Sequence, residues 1–109
     1  MIYEVKVSGQ ADSDLRGIFE YIALELESPR NAIGQLDRLE DSIIGLGMMP
    51  ERYRRYEEEP WKSRGLRILP VDKYVVLYIP DADKKVVTIL RVMYSGRNIS
   101  NELKLHEEH

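Results

Sequence analysis

Arginine and tyrosine carry most of the reactive chemistry in the second half of this chain. Arg67, Arg91, Tyr94 and Arg97 stand among Trp61, Lys62, Arg64, Lys73, Tyr74 and Tyr78. Guanidinium and ammonium groups hold phosphate oxygens, and bases stack on tyrosine or tryptophan, so this mixture points toward an anionic ligand or partner. Arg91 interrupts the otherwise apolar run from Val86 to Tyr94. An unpaired charge buried there would be costly, so Arg91 lies on a solvated face of the sheet, pairs with an acid or faces a ligand. Strand alternation alone does not choose among them. Tyr74 and Tyr78 are four residues apart and share a face of a strand. At least one of them reads as a core or rim tyrosine, and Trp61 reads as an apolar anchor.

A general base is harder to find. A tyrosine with a pKa near ~10 is a poor base at neutral pH unless it is perturbed. Glu57, Glu58 and Glu59 are alternatives, although a solvated acidic loop is the simpler reading. The chain has no cysteine, which excludes a disulfide framework, a zinc finger and a thiol nucleophile. None of the patterns G-x-x-x-x-G-K-[ST], G-x-G-x-x-G or G-x-S-x-G occurs. His106 and His109 lie in a polar terminal segment and read as part of a free tail rather than a metal site. No metal and no cofactor are expected.

The elements that must position these groups follow from periodicity. Tyr3, Val5 and Val7 alternate with Glu4 and Lys6, which predicts a half-buried strand. Ser8 is a candidate N-cap. From Ala11 the apolar residues Leu15, Ile18, Phe19, Ile22, Ala23 and Leu26 recur at helical spacing, with Asp12, Asp14, Arg16 and Glu20 on the polar side. Ser28-Pro29 starts a second helix, with Ser28 capping and Pro29 in the first turn. Ala32, Ile33, Leu36, Leu39, Ile43 and Leu46 form its apolar stripe, and Pro50 forbids continuation. So short a connection makes the two helices an antiparallel hairpin. Residues 51–63 read as irregular. Three strands follow, at Leu66–Leu69, Tyr74–Ile79 and Val86–Tyr94, and a hairpin joins the last two across Pro80–Lys84. Residues 100–109 are polar, either a short helix or disordered. The expected class is α+β in the order β-α-α-β-β-β, with a helical hairpin on one face of a twisted antiparallel sheet and the other face partly open.

The chain is 109 residues long, 43% hydrophobic and 32% charged, with a formal net charge of −3. Those values fit one globular domain with a real core. The apolar runs are too short for a membrane helix, and Met-Ile-Tyr-Glu-Val-Lys at the start lacks the apolar region of a signal peptide. A cytoplasmic protein with no membrane partner is expected. The charge is segregated. Residues 1–50 carry 4 basic and 9 acidic side chains, a balance of −5, whereas residues 51–109 carry 12 and 10, a balance of +2. The acidic total therefore conceals a mildly basic second half.

The ordered set of motifs resembles the RelE/ParE superfamily of type II toxin–antitoxin toxins, also described as plasmid stabilisation proteins. The similarity covers Val7-Ser8 through Tyr21-Ile22, the turn Ser28-Pro29-Arg30-Asn31-Ala32, Leu66-Arg67, Tyr74–Tyr78, and the closing run Ile89 to Asn98. The resemblance implies a single toxin domain over residues 1–99, followed by the polar tail. It implies a cognate antitoxin as partner. It also implies one of two targets: mRNA at the ribosome, cut by a metal-free endoribonuclease, or DNA gyrase. If the chain is an enzyme, Arg67, Arg91 and Arg97 are the candidate cations, and Tyr94 is the candidate acid/base or base-contacting group. Two positions depart from the ribonuclease pattern. Val75 stands where many members have arginine after the first tyrosine, and Tyr94 stands where histidine is frequent. A non-catalytic binding module or degenerate toxin is the second reading.

Overall fold

A computed structural model describes residues 2–107, with side chains described through residue 104. Strand β1 spans Glu4–Val7, helix α1 Gly9–Glu20, helix α2 Pro29–Gly45, the short helix α3 Trp61–Arg64, strands β2, β3 and β4 Arg67–Val71, Tyr74–Asp81 and Val86–Tyr94, and helix α4 Ile99–Glu107. Ser8 starts α1 as the sequence predicts: its hydroxyl accepts from the Ala11 N–H at 3.0 Å. The helix begins at Gly9, two residues before the apolar stripe. Its end differs from a regular helix. Tyr21–Glu25 form a π-helical turn, and Glu27 adopts a positive φ of 50°. The widened turn shifts the helical register, so Leu24 and Leu26 face solvent although spacing alone assigns Leu26 to the apolar stripe. The cap expected from the Ser28 side chain does not form. Pro29 occupies the first turn instead, and the Ser28 carbonyl accepts the Ala32 N–H at 3.0 Å.

The four strands lie in the order β1-β4-β3-β2. β2, β3 and β4 are antiparallel neighbours, but β1 runs parallel to β4. The expectation of a wholly antiparallel sheet is thus corrected at one edge. β1 meets β4 only after two long helices and two strands, and a connection of that length permits the parallel direction.

Both faces of the sheet are covered. On one face Ala11, Leu15, Leu39, Ile43 and Leu46 of the hairpin pack on Val76, Tyr78, Val87, Ile89 and Val92. On the other, Ile68, Val75, Leu77 and Met93 pack under Tyr56, Trp61, Leu66 and Leu103. The partly open second face expected from the sequence is therefore closed. The segment read as irregular supplies Tyr56 and Trp61, and the polar tail is a helix whose Leu103 is fully buried. Trp61 is the apolar anchor its type suggested. A bulge in the β3–β4 pairing decides which face Arg91 joins. Tyr78 lies opposite Ile89 but Leu77 lies opposite Arg91, so Leu90 is the extra residue. Strict alternation from Val87 and Ile89 would aim Arg91 into the core beneath the hairpin; the bulge puts it on the face of Leu77 and Met93.

Candidate functional site

β1 ends at Val7, opposite Val7's partner Ile89, so β4 continues past it with no strand on that side. The start of α1 takes over. The Ser8 N–H donates to the Ile89 carbonyl at 3.0 Å, and the Ser8 hydroxyl to the Leu90 carbonyl at 2.9 Å. One turn on, an Asp14 carboxylate oxygen accepts the Val92 N–H at 2.9 Å. Side chains of α1 thus replace the missing ladder, and the buried backbone groups stay paired.

Arg91 closes on the same carboxylate. Its Nε and Nη2 donate to the two Asp14 oxygens at 2.8 and 3.0 Å, a bidentate pair. The Arg91 side chain is only 9% exposed and that of Asp14 13%. The Arg91 pKa is held above its ordinary value, first by this hydrogen bonding and against the opposing effect of burial. Arg91 Nη1 also faces Glu102 of α4 at 3.7 Å. Glu102 in turn pairs with Arg97 at 3.3 Å. Asp14, Arg91, Glu102 and Arg97 therefore form one chain of alternating charge linking α1, β4 and α4. Sequence reading placed Asp14 among solvent-facing polar residues and gave Glu102 no role. The only sequence signal for either was the buried-charge problem posed by Arg91.

A second polar clasp holds α4. The Tyr56 hydroxyl lies 2.7 Å from the Ser100 hydroxyl and donates to Glu58 at 2.9 Å, and Ser100 also hydrogen-bonds Glu58. These bonds from Ser100 and Tyr56 lower the Glu58 pKa. Glu59 is drawn in too, accepting from the backbone and hydroxyl of Ser63. Glu58 and Glu59 of the acidic run are thus local acceptors.

Arg67 does other work. It sits opposite Tyr78 on the edge strand β2. One of its terminal nitrogens donates to the carbonyls of Glu51 and Tyr53 at 2.9 and 2.7 Å. Nearby, the buried Tyr78 hydroxyl donates to the Pro50 carbonyl at 2.6 Å, and burial pushes its pKa up to about 12. Tyr94 is half exposed and meets Tyr74 edge-on, ring centres 6.2 Å apart. Of the four candidates, then, Arg91 and Arg97 are brought together through Glu102. Arg67 lies two strands away in the row that faces the other side of the sheet. Tyr94 lies at the exposed end of β4. Among the described residues no group of three histidine, cysteine, aspartate or glutamate side chains is arranged to hold a metal. The side chains of His106 and His109 lie outside the described residues. Among the described residues no helix is long and apolar enough to cross a membrane.

The hairpin carries exposed apolar side chains and a groove. Tyr21, Leu24, Leu26 and Ile33 are exposed around its tip. Between α1 and α2 runs a shallow groove lined by Leu15, Phe19 and Leu36, with Asp12, Arg16, Glu20 and Glu40 along its rim.

Comparison with known proteins gives consistent findings. A family model described as the ParE toxin of the type II toxin–antitoxin system, parDE, matches residues 5–99. The chain is similar to one in the solved chromosomal ParDE system of P. aeruginosa, at 21% identity and TM-score 0.68, covering 85% of this chain and 96% of that one. It is similar to one in a RelBE toxin–antitoxin complex of Mycobacterium tuberculosis, at 23% identity and TM-score 0.63, covering 86% and 92%. It is also similar to a mutant E. coli RelE toxin in the free state, at 12% identity and TM-score 0.66, covering 94% and 93%. No curated protein matches the sequence.

Proposed function

The chain belongs to the ParE toxin family of type II toxin–antitoxin systems, and from that premise we propose that it arrests growth in the cytoplasm by inhibiting DNA gyrase rather than by cutting mRNA. The observation that carries this reading is the engagement of the three candidate arginines. Metal-free attack of a 2′-hydroxyl on its phosphate needs a base, an acid and cations free to meet developing charge. Arg91 is gripped by Asp14 and faces Glu102, Arg97 is paired with Glu102, and Arg67 binds backbone carbonyls. Val75, where ribonuclease relatives often carry arginine, is buried and apolar. Binding to a protein target requires no such constellation.

A cognate antitoxin is the partner. The exposed apolar side chains at the hairpin tip and the groove beside Phe19 suit an amphipathic segment, which would shield surface that a lone monomer rarely leaves bare. The full chain co-expressed with its antitoxin should co-purify as a stable complex.

The deciding experiment adds purified chain to a gyrase supercoiling reaction and, in parallel, to a translating extract. The expected result is inhibited supercoiling with intact transcripts. Ribosome-dependent cleavage with normal supercoiling would overturn the proposal. Absence of both, together with normal growth on expression, would return the chain to the class of degenerate toxins.

A further inference from the structure

We propose that the strap over residues 52–55, laid along the outer edge of β2, is a binding surface for the phosphate backbone of duplex DNA. The strap is fixed by its backbone. Arg55 forms a bridge with Arg67, the Arg54 carbonyl accepts the Ile68 N–H at 3.0 Å, and the Tyr56 N–H donates to the Leu66 carbonyl at 2.9 Å. Arg67 secures its beginning through the Glu51 and Tyr53 carbonyls.

Arg52, Arg54 and Arg55 are all exposed. Among the described residues, the side chains of Arg54 and Arg55 enter no hydrogen bond or ion pair. Two acids flank the strap: Glu51, whose carboxylate accepts from the Tyr3 hydroxyl and keeps its charge, and the exposed Glu57 beyond Tyr56. Between them the strap itself, residues 52–55, carries three arginines and no acid.

Three features select the ligand. Arg54 and Arg55 are successive residues of an extended segment and project to opposite sides, so they cannot converge on one carboxylate; a ligand with repeated negative charge meets both. Tyr56 is buried and Tyr53 half-buried, so no apolar anchor of the kind that drives protein docking lies between the guanidinium groups. Trp61 is buried as well, and the Arg52 guanidinium lies over the half-buried Tyr53 ring at 5.2 Å, so the strap offers no open platform for stacking the bases of a single strand. Charge without anchor or stacking fits backbone contacts to a duplex. This surface stands apart from the gyrase reading, and its test uses the toxin alone.

The test is fluorescence anisotropy of the full chain with a labelled duplex of about 20 base pairs, between about 50 and 200 mM salt. Binding at the low end is expected, with log affinity against log salt falling at a slope of about −3 for three to four phosphate contacts. Arg54→Gln with Arg55→Gln should weaken binding about tenfold or more and flatten the slope by about 2. The paired change to lysine keeps most of the affinity, and Arg30→Gln on the acidic hairpin leaves it unchanged. Both strap side chains are exposed and, among the described residues, neither enters a hydrogen bond or ion pair, so these variants fold. No binding at low salt, the same affinity in the glutamine variant, or equal affinity for single-stranded RNA of that length would each overturn the proposal.

Discussion

The two faces of the sheet are built differently. Under the helical hairpin, long stripes from α1 and α2 meet Val76, Tyr78, Val87, Ile89 and Val92 in one continuous apolar layer. On the opposite face a smaller cluster is roofed by a strap, a one-turn helix and α4, and polar clasps complete what apolar area does not. One runs from Asp14 through Arg91 and Glu102 to Arg97; the other joins Tyr56, Glu58 and Ser100. In a chain this short, arginines that look catalytic by type and position can instead be structural, because a thin cover needs directional bonds to stay in place.

The largest test of this contrast is a pair of truncations. Leu39 and Leu103 are both fully buried, one under each face. Leu39→Ala should cost about 3–5 kcal/mol in denaturant unfolding, as expected for a well-packed core. Leu103→Ala should cost about 2–3 kcal/mol. A cost near zero for Leu103→Ala would mean that α4 is a loose appendage rather than a roof.

A smaller effect sharpens the hairpin side. Tyr78→Phe removes the hydroxyl that binds the Pro50 carbonyl at 2.6 Å and leaves that acceptor unpaired. A loss of about 1–2 kcal/mol is expected from thermal or denaturant melts. No change would mean that water satisfies the carbonyl equally well.

The smallest effect concerns acid. Ser100 and Tyr56 hold the Glu58 pKa below its ordinary value of 4.5. A carboxylate lowered in the folded state contributes stability that is complete above that ordinary value and is lost as pH falls through the lowered one. Stability measured as pH drops below 4.5 should therefore decline less in Ser100→Ala than in the parent chain. Equal acid sensitivity would remove Glu58 from the clasp.

Much of this architecture is legible in the residues. Helical spacing from Ala11 and from Ala32, the capping Ser8, the first-turn Pro29 and the alternating strand runs state local preferences that the packing reinforces. What escaped reading depends on contacts distant in sequence. The parallel placement of β1 is a matter of topology that no local pattern records. The π turn at Tyr21–Glu25 reverses the exposure of Leu26 without any breaker residue to announce it. The fate of Arg91 hinges on a one-residue bulge at Leu90 and on an aspartate 77 residues away. Sequence narrowed Arg91 to a solvated face, an acid partner or a ligand, and choosing among them required the fold. Leu103 was hidden differently: a single apolar residue in a polar segment carries no period.

The central claim is that Arg91 holds the fold through Asp14, and a double-mutant cycle tests it most directly. Unfolding free energies of the parent chain, Asp14→Asn, Arg91→Gln and the double variant isolate the coupling between the two side chains. The expected coupling is about 2–3 kcal/mol, toward the upper end for directly contacting residues, because the pair is bidentate and nearly buried. A coupling near zero, with both single variants as stable as the parent and toxicity abolished by Arg91→Gln alone, would contradict it and return Arg91 to the role of a ligand-facing cation.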